Sequence, residues 1–256
     1  RVDAAPLKNI TPKILASVFQ VSESNPLVGL EERAELLNKL GWALMEHKHI
    51  FEFRGALRPG NLYDYFLQRQ EKGVLAAREI LIAILEGMGE IWPDGGWVDS
   101  IAIGDAAYHE AVKRSDITDG IVPFHKLSQW MSYSLIEPLQ VAGIKIIDLD
   151  ALTGLAEYRN GGLFIDTGTI SLRDKTQMEK VHDPKSPLIV EWRALTVTLL
   201  DQLAEQIRLH TNTNSESMPL VSILQGGTWS AGRRIAQRLR ADASPPLRLK
   251  SRGTIF

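Results

Sequence analysis

The sequence predicts a mainly α protein, a single compact helical domain over residues 1–256 with at most a small β-hairpin. Three observations lead there. Apolar residues recur at steps of three or four over several long stretches. Apolar residues make up 44% of the chain and charged residues 23%, the balance of an ordinary globular domain. No internal repeat or low-complexity tract divides it.

The helices follow in order. Leu30, Ala34, Leu37, Leu40 and Leu44 place one apolar stripe on a helix over Leu30 to Met45. Gly73 to Met88 is apolar over much of its circumference, which predicts an interior helix. A third helix is expected over Pro123 to Val141, kinked or ended by Pro138, which lacks an amide donor. The longest runs from about Leu188 to His210, with Trp192, Leu195, Leu199, Leu203 and Ile207 on one face. A last one covers roughly Trp229 to Ala241. Between them, Trp92-Pro93-Asp94-Gly95-Gly96-Trp97 is a turn signal, and Thr211 to Met218 reads as a surface loop. The β-prone pieces Leu163-Phe164-Ile165 and Thr169 to Leu172, separated by Asp166-Thr167-Gly168, suggest the one small hairpin.

Composition excludes several classes of function. A net charge of -2 gives no electrostatic footprint for nucleic acid or a membrane surface, although one phosphate needs only a local basic pocket. Without cysteine there are no disulfides, thiolate metal sites or Cys nucleophiles, and a cytoplasmic setting is expected, with the nucleus also open. No apolar run approaches the ~20 residues of a membrane span. His47 and His49 are two apart at a helix end and lack a carboxylate–histidine zinc pattern, so no metal is expected. Neither a Walker loop nor a dinucleotide fingerprint is present, and no cofactor is expected.

Three constellations can carry chemistry. Gln225-Gly226-Gly227-Thr228-Trp229 runs into a helix bearing Arg233 and Arg234, which reads as a helix N-terminus able to hold an anion. The plainer reading is a tight turn between two helices with Thr228 as N-cap. From Asp148 to Asp166, Glu157 ends a short helical turn beside Tyr158, Arg159 and Asn160, just before Gly161 and Gly162. That arrangement can hold a carboxylate against a ligand, and it can also be a Glu157–Arg159 surface pair with a helix C-cap. In Pro123 to Trp130, Lys126 and Gln129 share a helix face, and Lys126 can carry an anion or simply sit at a solvated helix start.

At these residues the chain resembles a fungal and bacterial domain family of unknown function associated with uracil catabolism. The matching segments are Phe19 to Ser22, Asn25 to Leu30, Arg58 to Gly60, Val122 to Trp130, Leu152 to Asp166, Val190 to Val197, Gly226 to Trp229 and Gly253 to Phe256. They span essentially the whole chain. The resemblance implies a longer family chain of which this is the C-terminal part, with an N-terminal portion ahead of Arg1, and an acidic residue where Arg252 stands.

A second, more distant similarity is to the queuosine-salvage family of nucleotide N-glycosylases, whose helical fold is related to DNA glycosylases. That family carries Lys-Arg-Ala-Gln on a helix and, further on, Leu-Thr-x-x-Ala-Asp-Tyr-Arg. Here Lys126-Leu127-Ser128-Gln129 precedes Leu152-Thr153-Gly154-Leu155-Ala156-Glu157-Tyr158-Arg159 at a similar separation. The similarity implies that Glu157 replaces the family's key carboxylate, one methylene longer, and that Lys126 takes the place of its lysine.

Together the two resemblances imply a hydrolase of pyrimidine breakdown that cleaves the N-glycosidic bond of a uracil-derived nucleotide such as ribosylurea phosphate. Glu157 and Lys126 are the expected catalytic pair. Tyr158 or Trp130 would stack on a flat group, and Gln129 or Asn160 would read its polar edge. Arg159, Asp166, Thr228 and Arg233 complete the expected substrate contacts. Association with other enzymes of the pathway is a further expectation. Two alternatives stay open: an amide hydrolase acting on the opened ring, and a non-catalytic nucleotide-binding partner.

Overall fold

A computed structural model describes residues 2–92 and 95–250. In chain order the helices and strands are α1 (Ala4–Leu7), α2 (Pro12–Val18), α3 (Leu30–Glu46), α4 (Lys48–Phe51), β1 (Glu52–Phe53), β2 (Ala56–Leu57), α5 (Leu62–Arg69), β3 (Val74–Ala76) and α6 (Ala77–Met88). They continue with β4 (Gly96–Val98), β5 (Ile101–Gly104), β6 (Ala106–Tyr108), β7 (Ile121–Pro123), α7 (Lys126–Val141), β8 (Lys145–Ile147) and α8 (Tyr158–Asp166). The last are β9 (Val181–His182), α9 (Pro187–Thr211), α10 (Leu220–Ile223), α11 (Trp229–Leu239) and β10 (Arg248–Leu249). The protein is mainly α, with short strands confined to two-stranded pairs. No described helix is long and apolar enough to cross a membrane.

Contacts group the chain into two compact units interleaved in sequence. Among the described residues, the first takes 2–92, 95–105 and 134–147; the second takes 106–133 and 148–250. Helix α7 gives its first half to the second unit and its second half to the first. Pro138 does not end it: the helix continues to Val141, and Ala142 N–H closes the last turn on the Pro138 carbonyl.

The first unit is an apolar core. Leu44, Ile50, Phe51, Phe66, Ile80 and Ile84 are completely or almost completely buried. Helix α6 lies close enough to α4 that a Cβ on Gly87 would sit 2.6 Å from the Phe51 ring. The interior helix expected from Gly73 begins instead at Ala77, because Val74–Ala76 pairs in parallel with Lys145–Ile147. Asn61 is buried and donates to the carbonyls of Phe51 and Ala56, both at 2.7 Å, which ties the end of α4 to the start of β2. The break at His47 between α3 and α4 brings the His47 and His49 rings to 6.1 Å, where a continuous helix would have turned them apart. His49 Nε2 lies 2.7 Å from Glu86.

The second unit is built around α8, α9 and α11. Helix α9 matches its expected span, but its buried face does not. Ile189, Val190, Trp192, Arg193, Thr196, Leu200 and Ala204 face inward, while Leu195 is exposed. A stripe drawn from apolar residues alone falls about one position away, since the buried face itself carries Arg193 and Thr196.

The hairpin expected around Leu163–Leu172 is absent: Leu163, Phe164 and Ile165 lie within α8. Packing overrides their β propensity. Phe164 joins Leu200, Leu220, Ile223 and Leu224 in one cluster. Gly161 lets α8 approach α9, where a Cβ would fall 2.7 Å from Thr196 Oγ1 and 2.8 Å from Trp192. Gly232 does the same for α11, where a Cβ would meet the Arg159 carbonyl oxygen at 2.4 Å.

Candidate functional site

Glu157 does not end a helical turn; it begins one. Its backbone is extended (φ -121, ψ 161), and its side chain caps α8. Oε1 accepts from Asn160 N–H at 2.6 Å and Oε2 from Arg159 N–H at 2.8 Å. Two free donors of the first turn are thereby satisfied, and the helix dipole favours the negative charge. The residue is only 7% exposed. Burial pushes its carboxyl pKa above the ordinary 4.5, against the two amide bonds and the charges of Lys126 and Arg159, which pull it down. The outcome is a carboxyl held rigidly by backbone and readily protonated.

Lys126, the first residue of α7, is 6% exposed and acts electrostatically on Glu157. On the same helix face Gln129 is buried, and its Oε1 accepts from Thr153 N–H at 3.2 Å. That bond ties α7 to the loop that leads into Glu157. One turn on, the Tyr133 hydroxyl donates to the Thr153 carbonyl at 3.0 Å.

Asn160 is almost fully buried. Its Nδ2 donates to the Leu155 carbonyl at 3.3 Å, and its Oδ1 accepts from Thr228 Oγ1 at 2.9 Å. Thr228 is therefore tied to the cap of α8. The Gly226–Thr228 anion cradle is not formed. Leu224–Thr228 is a π-helical stretch joining α10 to α11, and Thr228 has helical backbone angles (φ -64, ψ -42). The amides there lie inside a continuous helix, so neither an open N-terminus nor an N-capping Thr228 exists. A π-bulge of this kind often marks a functional position.

The side chains of the remaining expected contacts are engaged elsewhere or exposed. Asp166, with its side chain 3% exposed, receives both Arg240 NH groups at 2.8 and 2.5 Å. Arg233 is exposed and stacks over Trp229 at 4.9 Å. Trp130 is 51% exposed. Tyr158 packs on the cluster of Ile189, Trp192 and Leu247, under the Arg159 guanidinium at 4.9 Å. Arg159 also donates to the Ala243 carbonyl at 2.7 Å, so it is no surface partner of Glu157. Arg252 and the segment Gly253 to Phe256 lie outside the described residues, as do Pro93 and Asp94 of the turn signal.

Sequence reading missed Arg193. It is buried on α9, its guanidinium lies 4.0 Å from the Phe124 ring, and Nε donates to the Ala156 carbonyl at 3.4 Å. An arginine recurring with Ile189, Thr196 and Leu200 on one helical face was the available signal. A cavity of about 410 Å3 also lies in this unit, lined by Ile165, Leu172, Arg173, Glu191, Trp192 and Leu247 among others. None of the expected site residues lines it.

The fold and site define a mainly helical protein with a buried carboxylate, ammonium and amide group gathered at a helix cap. By sequence the chain belongs to the family described as "Protein of unknown function (DUF1688)", whose profile matches residues 1–256. It is 37% identical over 259 residues to "Protein urg3" of Schizosaccharomyces pombe, covering all of this chain and 61% of that protein. It is 36% identical over 283 residues to "Uracil catabolism protein 4" of Lachancea kluyveri, covering all of this chain and 63% of that protein. The chain thus spans about three fifths of the length of these relatives. A shorter match, 33% identical over 91 residues, is to "Queuine tRNA-ribosyltransferase" of Pseudomonas syringae pv. tomato, covering 35% of this chain and 24% of that protein.

Proposed function

We propose that this protein acts in uracil catabolism as a hydrolase that cleaves the N-glycosidic bond of a uracil-derived nucleotide such as ribosylurea phosphate. The observation that carries the reading is the Glu157 carboxyl, buried, fixed by two backbone amides and set near the buried Lys126 charge. One relative is named for uracil catabolism, and the shorter match bears a name concerned with ribosyl transfer. The similarity of Lys126–Gln129 and Leu152–Arg159 to the queuosine-salvage glycosylases, and with it a fold of the DNA-glycosylase kind, belongs to the same reading.

In this mechanism the C1′–N bond breaks through an oxocarbenium-like state, as in glycoside hydrolysis. The ionised carboxylate of Glu157 stabilises the developing charge and takes a proton from the attacking water. The hydroxyl goes to C1′, and a proton goes to the departing nitrogen. A carboxyl whose pKa is raised by burial suits a group that gives as well as takes protons. Lys126 tunes that carboxyl or holds the phosphate, and Gln129 and Asn160 orient the cap.

The test compares the full-length protein with Glu157→Gln, each incubated with uridine monophosphate and ribosylurea phosphate while free ribose 5-phosphate is quantified. Release by the parent, lowered about 100- to 1,000-fold in the variant, is expected for removal of a group that stabilises transition-state charge. Release of ammonia without sugar phosphate would replace this reading with amide hydrolysis. Binding without either product would leave a nucleotide-binding partner.

A further inference from the structure

The first unit contains a cavity of about 460 Å3 that the uracil-catabolism reading does not use. It is lined by Lys39, Trp42, Glu46, Glu90, Trp92, Gly95 and Trp97. Three of the six tryptophans of the chain meet there. Trp42 and Trp97 are 58% and 62% exposed, whereas Trp92 is buried.

The local sequence explains how these groups converge. Lys39, Trp42 and Glu46 follow one another at three and four residues on α3, so a single helical face delivers an ammonium, an indole and a carboxylate. Glu90 and Trp92 come from the turn after α6, and Trp97 from β4. The two carboxylates are not equivalent. Glu90 has His47 Nε2 at 3.7 Å, while Glu46 is exposed on the last turn of α3. Lys39 also lines the cavity and pairs with Glu35 at 2.8 Å on the exposed face of α3. Two carboxylates and one ammonium therefore line the cavity.

Indole faces attract cations more strongly than other aromatic rings do, and rings of aromatic side chains with nearby carboxylates recognise organic ammonium ions. The same chemistry operates within the protein. The Lys8 ammonium sits 3.4 Å above the Trp42 ring, yet Lys8 does not line the cavity.

We infer that the cavity bounded by Trp42, Trp92, Trp97, Glu46 and Glu90 is a binding site for a small organic ammonium ion. Binding here is independent of the chemistry assigned to Glu157.

The full chain is titrated with choline by calorimetry at constant ionic strength, with 3,3-dimethylbutanol as the uncharged isostere. Saturable choline binding is expected, with the isostere clearly weaker. Trp97→Ala should weaken choline binding about 5- to 30-fold through loss of one indole face. Glu46→Gln should weaken it about 2- to 5-fold, as expected for a solvent-screened charge. Both substitutions are at exposed positions, and an unchanged melting temperature verifies the fold of each variant. Absence of saturable binding to the parent protein, equal binding of the isostere, or unchanged affinity in Trp97→Ala overturns the inference.

Discussion

The two units of the molecule bury different things. In the first, the buried side chains are almost all apolar, with Asn61 the buried polar residue among those described. In the second, Lys126, Ser128, Gln129, Ser132, Glu157, Asn160, His182, Arg193, Thr196 and Thr228 are all buried. Polar groups are costly to remove from water unless they are bonded, so an interior this polar is an expense that folding alone does not require. The contrast teaches where to look for chemistry: the first unit holds together by packing, and the second combines packing with a bonded polar core.

Substitutions can break or sharpen that contrast. The largest stability effect is expected in the first unit, where Phe66→Ala removes a ring with no exposure. A loss of about 3–5 kcal/mol, read by denaturant unfolding, is the normal result for a buried aromatic. An equal loss of turnover under conditions where the variant is still folded would break the contrast.

Gly232→Ala comes next. Its new methyl meets the Arg159 carbonyl, a backbone atom that cannot swing away, and about 1–3 kcal/mol should be lost with α8 pushed from α11. Because Arg159 follows Glu157 by two residues, turnover should fall with stability, which a parallel activity assay checks.

Thr228→Val keeps the shape and removes the hydroxyl that Asn160 Oδ1 accepts. Leaving that buried oxygen unbonded should cost about 1–2 kcal/mol, toward the lower end of the range for buried polar groups. Thr228→Ser should restore most of it, since the donor returns. Failure of serine to rescue would mean that the methyl group, and not the hydrogen bond, matters at this position.

The smallest effect is one of pH. The folded-state pKa of Glu157 is raised above the ordinary 4.5, so the folded protein holds that proton more tightly than the unfolded chain. This stabilising contribution is complete below 4.5 and is lost as pH rises through the higher folded value. Melting temperatures of the parent and of Glu157→Gln, measured across that window, should show the parent losing ground to the variant as pH rises. A constant difference would mean that Glu157 titrates normally and that its burial does not govern its ionisation.

Much of the scaffold was legible in the sequence. The long helices over Leu30–Glu46, Pro187–Thr211 and Trp229–Leu239 follow from apolar periodicity sustained over several turns. So was part of the site. Lys126, Gln129, Glu157, Asn160 and Thr228 all lie in segments singled out by motif, and the structure finds all five buried. The pairing of Asn160 with Thr228 was not legible, because 68 residues separate them and no local pattern records the contact.

Sequence by itself therefore determined the helical class, the longer helices and the identity of the polar residues from which a site can be made. Tertiary structure decided the rest. It made Leu163–Ile165 helical, because Gly161 and Gly232 let three helices approach where a hairpin would leave Phe164 unpacked. It turned Glu157 from a helix end into a helix start, and it closed the Gly226–Thr228 turn into a π-helical continuation. In each case a weak local preference gave way to burial of a large apolar side chain or bonding of a buried polar group, because either is worth more free energy than the preference.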